Sequence, residues 1–287
     1  MIPAGFAYTR AASAAEALAL LAEYGDEAKL LAGGHSLLPL MKLRLAQPER
    51  LIDIGEVADL SYINDGGDHL AIGALTRHRD VEHSSLLAEH LPLLAHVASH
   101  VGDPQVRNRG TIGGSLVHGD PASDLPSVAL ATGATMVITG PSGERTLPAA
   151  DFFEGFLETA VGADELLTEI RFPKYTGAGW GFQKFNRRAQ DWAIVGCSVQ
   201  AAGNGSNGGG NGSAGGVAGA VALVNMGSTP MLASDATDAL RQGSSAAEIG
   251  AVAAEGTEPP SDLHAQAAYR QHLARVLVQR AATAAGL

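Results

Sequence analysis

Cysteine is nearly absent: Cys197 is the only one in 287 residues. A single thiol cannot build a disulfide framework, a cysteine-type zinc site or an iron–sulfur cluster, so any cluster chemistry must reside on another chain. Basic residues are in deficit too, 19 Lys and Arg against 30 Asp and Glu, and the net charge of -11 argues against nucleic acid and against an anionic membrane surface as partners. Long hydrophobic runs are missing as well. No apolar stretch approaches the ~20 residues that span a bilayer, and the opening Met1-Ile2-Pro3-Ala4-Gly5-Phe6 has neither the basic nor the apolar segment of a secretion signal. The expected location is the cytoplasm, or at most the periphery of a membrane through a complex.

What is present is enough for a sizeable core: 46% of the residues are hydrophobic and only 17% charged, which suits two or three compact units and not a disordered chain. Glycine is abundant, 36 residues, and concentrated in a few places. Ser13 and Glu16 form a capping-box pattern ahead of a helix over 14–24 that Gly25 stops. A buried strand over 28–32 runs into Gly33-Gly34, and a second strand covers 50–54, which together suggest a small α/β unit. A hairpin follows around Asp65-Gly66-Gly67-Asp68, then helical spacing over 81–101 in which Pro92 must begin or break a helix. Strands are expected over 134–138, 166–172, 181–185, 193–202 and 217–225, and a final helix over 262–285. The Gly/Asn/Ser tract 203–216 reads as a mobile hairpin tip, and its Asn-Gly-Ser sequons as composition. There is no internal repeat.

Two segments, Ala32-Gly33-Gly34-His35-Ser36 and Thr111-Ile112-Gly113-Gly114-Ser115, share a physical logic. Paired glycines let the backbone approach an anion and the adjacent hydroxyls donate to it. Neither has the spacing Gly-x-Gly-x-x-Gly or that of a P-loop, which disfavours a Rossmann or P-loop site. Taken singly, each is weak evidence, because Gly-Gly after a strand is more often a tight turn than a nucleotide site. His35 is compatible with a loop histidine, Asp120 and Asp124 with turn formers or a helix cap, and Arg107, Arg109, Arg187 and Arg188 with solvated charges. Trp192 is compatible with core filling, and Cys197 with an inert buried thiol.

The order of motifs adds more. Met1-Ile2-Pro3, the first Gly-Gly segment with Met41-Lys42, the second Gly-Gly segment, Gly119-Asp120-Pro121, Asp164-Glu165-Leu166-Leu167-Thr168, Lys184 to Arg188, Asp191-Trp192-Ala193, Leu223-Val224-Asn225 and Thr229-Pro230 follow one another at intervals covering most of the chain. In these the chain resembles the FAD-binding medium subunits of molybdenum hydroxylases, the xanthine dehydrogenase family, and among them the carbon monoxide dehydrogenase type. The resemblance implies an α+β fold: a two-subdomain FAD-binding domain of the PCMH type over 1–176, divided near 55, then a C-terminal α+β domain over 177–287 with a three-stranded sheet and helices. It implies non-covalent FAD bound by Leu30, Leu31, Ala32, Gly33, Gly34, His35, Ser36 and Leu37, by Thr111, Ile112, Gly113, Gly114 and Ser115, and by Asp124, Leu167, Lys184 and Trp192. Ser115 stands where Asn is common, and Trp192 where Tyr is common, at the flavin ring.

The implied role is electron transfer. A large subunit would carry the molybdenum cofactor and a small one the [2Fe-2S] clusters, in a dimer of heterotrimers. Electrons would pass through FAD here to a quinone, cytochrome, NAD or oxygen, with no catalytic residue and no metal on this chain. The rival reading is a free-standing flavin oxidase of the vanillyl-alcohol-oxidase type, for which the 110 or so residues after Gly177 form a small substrate domain. A medium subunit for an aldehyde or N-heterocycle substrate and a scaffold that has lost FAD complete the alternatives.

Overall fold

The computed structural model describes residues 2–202 and 218–287; the tract expected to form a hairpin tip lies outside them. The chain opens with β1 (Ala7–Arg10), α1 (Ala14–Tyr24), β2 (Ala28–Leu31), α2 (Leu37–Lys42) and β3 (Arg50–Asp53). These form a parallel three-stranded sheet in the order β1-β3-β2, with α2 in the crossover between the parallel neighbours β2 and β3. α1 starts where expected, because Ser13 Oγ accepts the Glu16 amide at 3.1 Å. Only half of the capping box forms, since Glu16 reaches back to the amide of Ala12. α1 buries Ala17 and Leu21 against the sheet.

Next come β4 (Ile63–Asp65), β5 (His69–Gly73), α3 (His78–Glu82), α4 (Ser85–His90), α5 (Pro92–Ser99), α6 (Pro104–Arg109), α7 (Ile112–His118), α8 (Asp124–Thr132), β6 (Thr135–Gly140), β7 (Gly143–Pro148), the short pair β8 (Phe153–Gly155) and β9 (Glu158–Thr159), and β10 (Leu166–Pro173). Pro92 begins a helix, in the first-turn position where its missing N–H costs nothing. Five strands form an antiparallel sheet in the order β4-β5-β10-β6-β7. Its core includes Ile72, Leu93, Val128, Met136, Phe152 and Ile170.

The remainder is β11 (Trp180–Phe185), β12 (Val195–Gln200), β13 (Ala220–Val224), β14 (Met231–Leu232), α9 (Ser234–Arg241), α10 (Ala246–Val252) and α11 (Ala267–Ala284). The sheet here has four antiparallel strands, not three, because Met231 and Leu232 pair with Leu223 and Ala222. α11 starts five residues later than the 262 read from the apolar periodicity. Asp262 folds its own turn by accepting the amides of His264 and Ala265, and Ser261 Oγ accepts the Ala267 amide.

β12 is buried on both faces. Val195, Cys197 and Val199 join the core with α10 and α11, while Ser198 points the other way and meets Ser127 of α8 at 2.7 Å. α8 thus lies between the five-stranded sheet's unit and the C-terminal sheet and belongs to the packing of both. Burial pushes the Cys197 thiol up to about 12, which makes it the inert residue its setting suggested. Among the described residues no helix is long and apolar enough to cross a membrane.

On β11 the alternation places Trp180, Phe182 and Lys184 toward α5 and α8, and turns Gly181 to α11, where an added Cβ would lie 2.8 Å from Ala281 Cα. Replacing Gly181 with alanine is therefore expected to lower stability by about 1–3 kcal/mol through overpacking against backbone. Thermal unfolding checks this; an unchanged midpoint would mean that α11 can shift away freely.

Candidate functional site

The first Gly-Gly segment leaves β2 at Leu31 and enters α2 at Leu37. Gly34 has φ +78, a conformation glycine adopts without strain. Gly33 has no room for a side chain: a Cβ would collide with the Arg109 carbonyl and lie 2.8 Å from Gly110 Cα. The first segment is therefore in direct backbone contact with Arg109-Gly110, the residues that lead into the second. Within the first, the amides of Gly33, Gly34, His35, Ser36 and Leu37 donate to no atom of the described chain. Five successive free N–H groups in a bend that includes a left-handed glycine form a cradle for an anion.

The second segment differs from the turn expected. It is the first turn of α7, capped by Thr111, whose Oγ1 accepts the Gly114 amide at 3.2 Å. Its other amides are committed as well: Ile112 N donates to Thr76 O (3.0 Å), Gly113 N to Ala74 O (2.8 Å) and Ser115 N to Thr111 O (3.1 Å). Neither Gly113 nor Gly114 has a positive φ. Gly113 is small because it rests on Ala74, whose Cα would lie 2.9 Å from a Cβ there. Gly114 is exposed, and apart from Thr111 Oγ1 at 2.7 Å a Cβ would meet open space. What this segment offers a ligand is an open backbone face and the hydroxyls of Thr111 and Ser115.

Residues 76–78, which belong to no motif of the sequence, brace the second segment and the Arg109-Gly110 backbone that the first one touches. Arg77 donates from Nη1 to Arg109 O and from Nη2 to Gly55 O at 2.8 Å. His78 is buried, its amide donates to Gly110 O at 3.0 Å, its ring lies flush on Gly110, and its Nε2 is 3.4 Å from Ser115 Oγ. Burial, with the neighbouring His35, Arg107 and Arg77, lowers the His78 imidazole to about 4, so the ring is neutral at physiological pH. His35 lies beside Arg109, and desolvation together with that charge holds it below the ordinary imidazole value.

Asp124 and Lys184 face each other across the α8–β11 contact, Nζ to Oδ2 at 2.6 Å with both side chains buried, and Lys184 also donates to His100 O. Asp124 is the first residue of α8, not its cap, and its Oδ1 is buried without a partner. Burial pushes this carboxyl above the usual carboxylate range while Lys184 pulls it down. Asp120 is a turn former, its Oδ1 accepting the Ala122 amide. Arg107 pairs with Glu82 at 2.7 Å, whereas Arg187 and Arg188 are exposed and reach Asp191 only at 3.7 and 3.8 Å.

Leu30 and Leu31 are half-buried in β2, and Leu167 lies in the core on the central strand β10. Trp192 is not core filling: it is 57% exposed and lines a cavity of about 280 Å³ with Arg187, Asn225, Asp262 and Arg270. Asn225 ties that cavity to the turn before α8, donating its amide to Pro121 O at 2.7 Å. A dinucleotide such as FAD suits these residues: free amides for a diphosphate, an orphaned buried carboxylate oxygen for a donor, and an exposed indole face for a flat ring.

The sequence profile described as FAD binding domain in molybdopterin dehydrogenase matches residues 4–175, and that described as CO dehydrogenase flavoprotein C-terminal domain matches 180–285. The carbon monoxide dehydrogenase medium chain of Hydrogenophaga pseudoflava is 41% identical, with 99% of this chain and 98% of the relative aligned. The nicotine 6-hydroxylase medium subunit of Paenarthrobacter nicotinovorans is 35% identical, with 97% and 96% aligned. Among solved structures, carbon monoxide dehydrogenase from Hydrogenophaga pseudoflava superposes with a TM-score of 0.91 at 42% identity, covering 100% of this chain and 99% of the other. Quinoline 2-oxidoreductase from Pseudomonas putida 86 gives 0.88 at 34% identity, covering 99% and 98%.

The buried neutral His78 has a consequence for stability. Its folded pKa of about 4 lies below the ordinary 6.5, so the unfolded chain binds the proton more tightly. The associated stability is complete above about pH 6.5 and is lost as pH falls through 4, at most roughly 3 kcal/mol. Denaturant unfolding between pH 7 and pH 4 should show a shallower decline for His78→Gln than for the wild type. Equal slopes would place the proton uptake elsewhere.

Proposed function

This chain belongs to the carbon monoxide dehydrogenase medium-subunit family of the molybdenum hydroxylases and is an FAD-binding oxidoreductase subunit; from that premise we propose that it carries electrons from iron–sulfur clusters of a small subunit through FAD to an external acceptor. The oxidised substrate would bind at a molybdenum cofactor on a large subunit. Carbon monoxide is the favoured substrate of that complex, because full-length identity to two carbon monoxide dehydrogenase medium chains, 41% and 38%, exceeds the 35% to the nicotine enzyme's subunit. The single cysteine supports placing the clusters on a partner. We further propose a dimer of heterotrimers in the cytoplasm, and a division into an FAD-binding domain over 1–176 and a C-terminal domain over 177–287.

FAD, when bound, exchanges electrons singly or in pairs and so joins one-electron and two-electron carriers. The observation that carries the assignment of the site is the run of unpartnered amides from Gly33 to Leu37, which would hold the cofactor diphosphate. Thr111 and Ser115 would add hydroxyls from the facing segment, and Gly114 would leave the space between them open. Asp124 would accept a hydrogen bond at its free oxygen while Lys184 holds the other. Trp192 would cover the ring and keep water from it. None of these groups needs to act on the substrate.

Acid precipitation of the complex should release its flavin, as non-covalent binding requires; flavin retained by the denatured chain would favour the oxidase rival. Gly114→Val should abolish FAD uptake by an FAD-depleted complex, because its side chain fills the open face and presses on the Thr111 cap. Asp124→Ala should weaken binding by about 1–3 kcal/mol. Unchanged FAD titrations for both variants would remove these residues from the site.

A further inference from the structure

The His78 ring is buried and has one hydrogen-bond partner, Ser115 at Nε2, yet its Nδ1 has none among the described residues. A neutral imidazole carries its proton on one nitrogen and a lone pair on the other. With the proton on Nδ1 the ring would bury an orphaned N–H, a rare and costly arrangement. With the proton on Nε2 that N–H points at Ser115 Oγ, and only a lone pair is left without company. The second tautomer is the one this environment selects.

That choice determines what Ser115 can do. A hydroxyl has one hydrogen, and if His78 accepted it Ser115 would turn only lone pairs toward a neighbouring ligand. When His78 donates instead, the hydroxyl hydrogen is free to point outward from α7. A phosphate oxygen is an acceptor, so only the second arrangement attracts it. We infer that His78 is a positioning residue that sets Ser115 as a hydrogen-bond donor to the diphosphate of the cofactor. The inference rests on the FAD reading of the site. It concerns Ser115 specifically, since the amides around it are already spent within the protein.

The test uses the assembled complex, depleted of FAD and titrated with FAD, with thermal unfolding followed in parallel. His78→Phe and Ser115→Ala should each weaken FAD about tenfold, the scale of one hydrogen bond to a charged group. The double variant should be no weaker than either single one. His78→Gln, which can place its amide nitrogen near the Nε2 position, should keep most of the affinity, while His78→Asn, whose amide stops near the Nδ1 position, should not. The Gln and Asn comparison decides the matter even where His78→Phe fails to assemble. Losses that multiply in the double variant, or equal FAD affinity in the Gln and Asn variants, would overturn the inference while a wild type that binds FAD and a Gly114→Val variant that does not keep the cofactor assignment standing. A wild-type complex that takes up no FAD overturns both.

Discussion

Gly33 and the Arg109–Gly110 backbone touch with no side chain between them, and the arrangement of the site depends on that contact. It joins the parallel sheet's unit to the helical face of the antiparallel one, and the two units also meet where Leu166 of β10 packs into the core of Ala17, Leu21 and Ile52. Because the contact is backbone on backbone, its geometry is fixed by peptide dimensions and not by rotamers. Arg77 reinforces it from the side with hydrogen bonds to Arg109 O and Gly55 O. The amides left over in the bend from Gly33 to Leu37 are then held open beside α7.

The two Gly-Gly segments look alike and have different work. In one the amides are free; in the other they anchor the helix to Ala74, Thr76 and the Thr111 side chain. The second segment thereby becomes a rigid wall. In the proposed site such rigidity would favour binding, because a group already fixed in place loses little entropy when a ligand arrives.

α8 provides the other joint. Its Ser127 meets Ser198 of β12, and its first residue, Asp124, meets Lys184 of β11, so one helix registers the C-terminal sheet against the rest. A buried ion pair is seldom worth much in stability, since desolvation offsets most of the attraction. Its value here lies in orientation: Lys184 fixes one carboxylate oxygen of Asp124 and leaves the second directed and unpartnered.

Local signals in the sequence were enough for much of the framework. Ser13 with Glu16, Pro92, the Asp65–Asp68 turn and Pro173 at the end of β10 act within a few residues of themselves, and the elements they mark formed where they mark them. The four-strand count of the last sheet and the start of α11 were not legible, because a two-residue strand has no period and Asp262 competes with the helix by bonding its own turn. The same division runs through the candidate site. Glycine pairs and hydroxyls by themselves marked two places where the backbone comes without side chains. Only the tertiary structure decided which pair keeps its amides free, that Asp124 and Lys184 meet across 60 residues of chain, and that His78 lies behind Ser115. Free amides, buried pairs and tautomers depend on partners distant in sequence, and no local pattern of residue types records them.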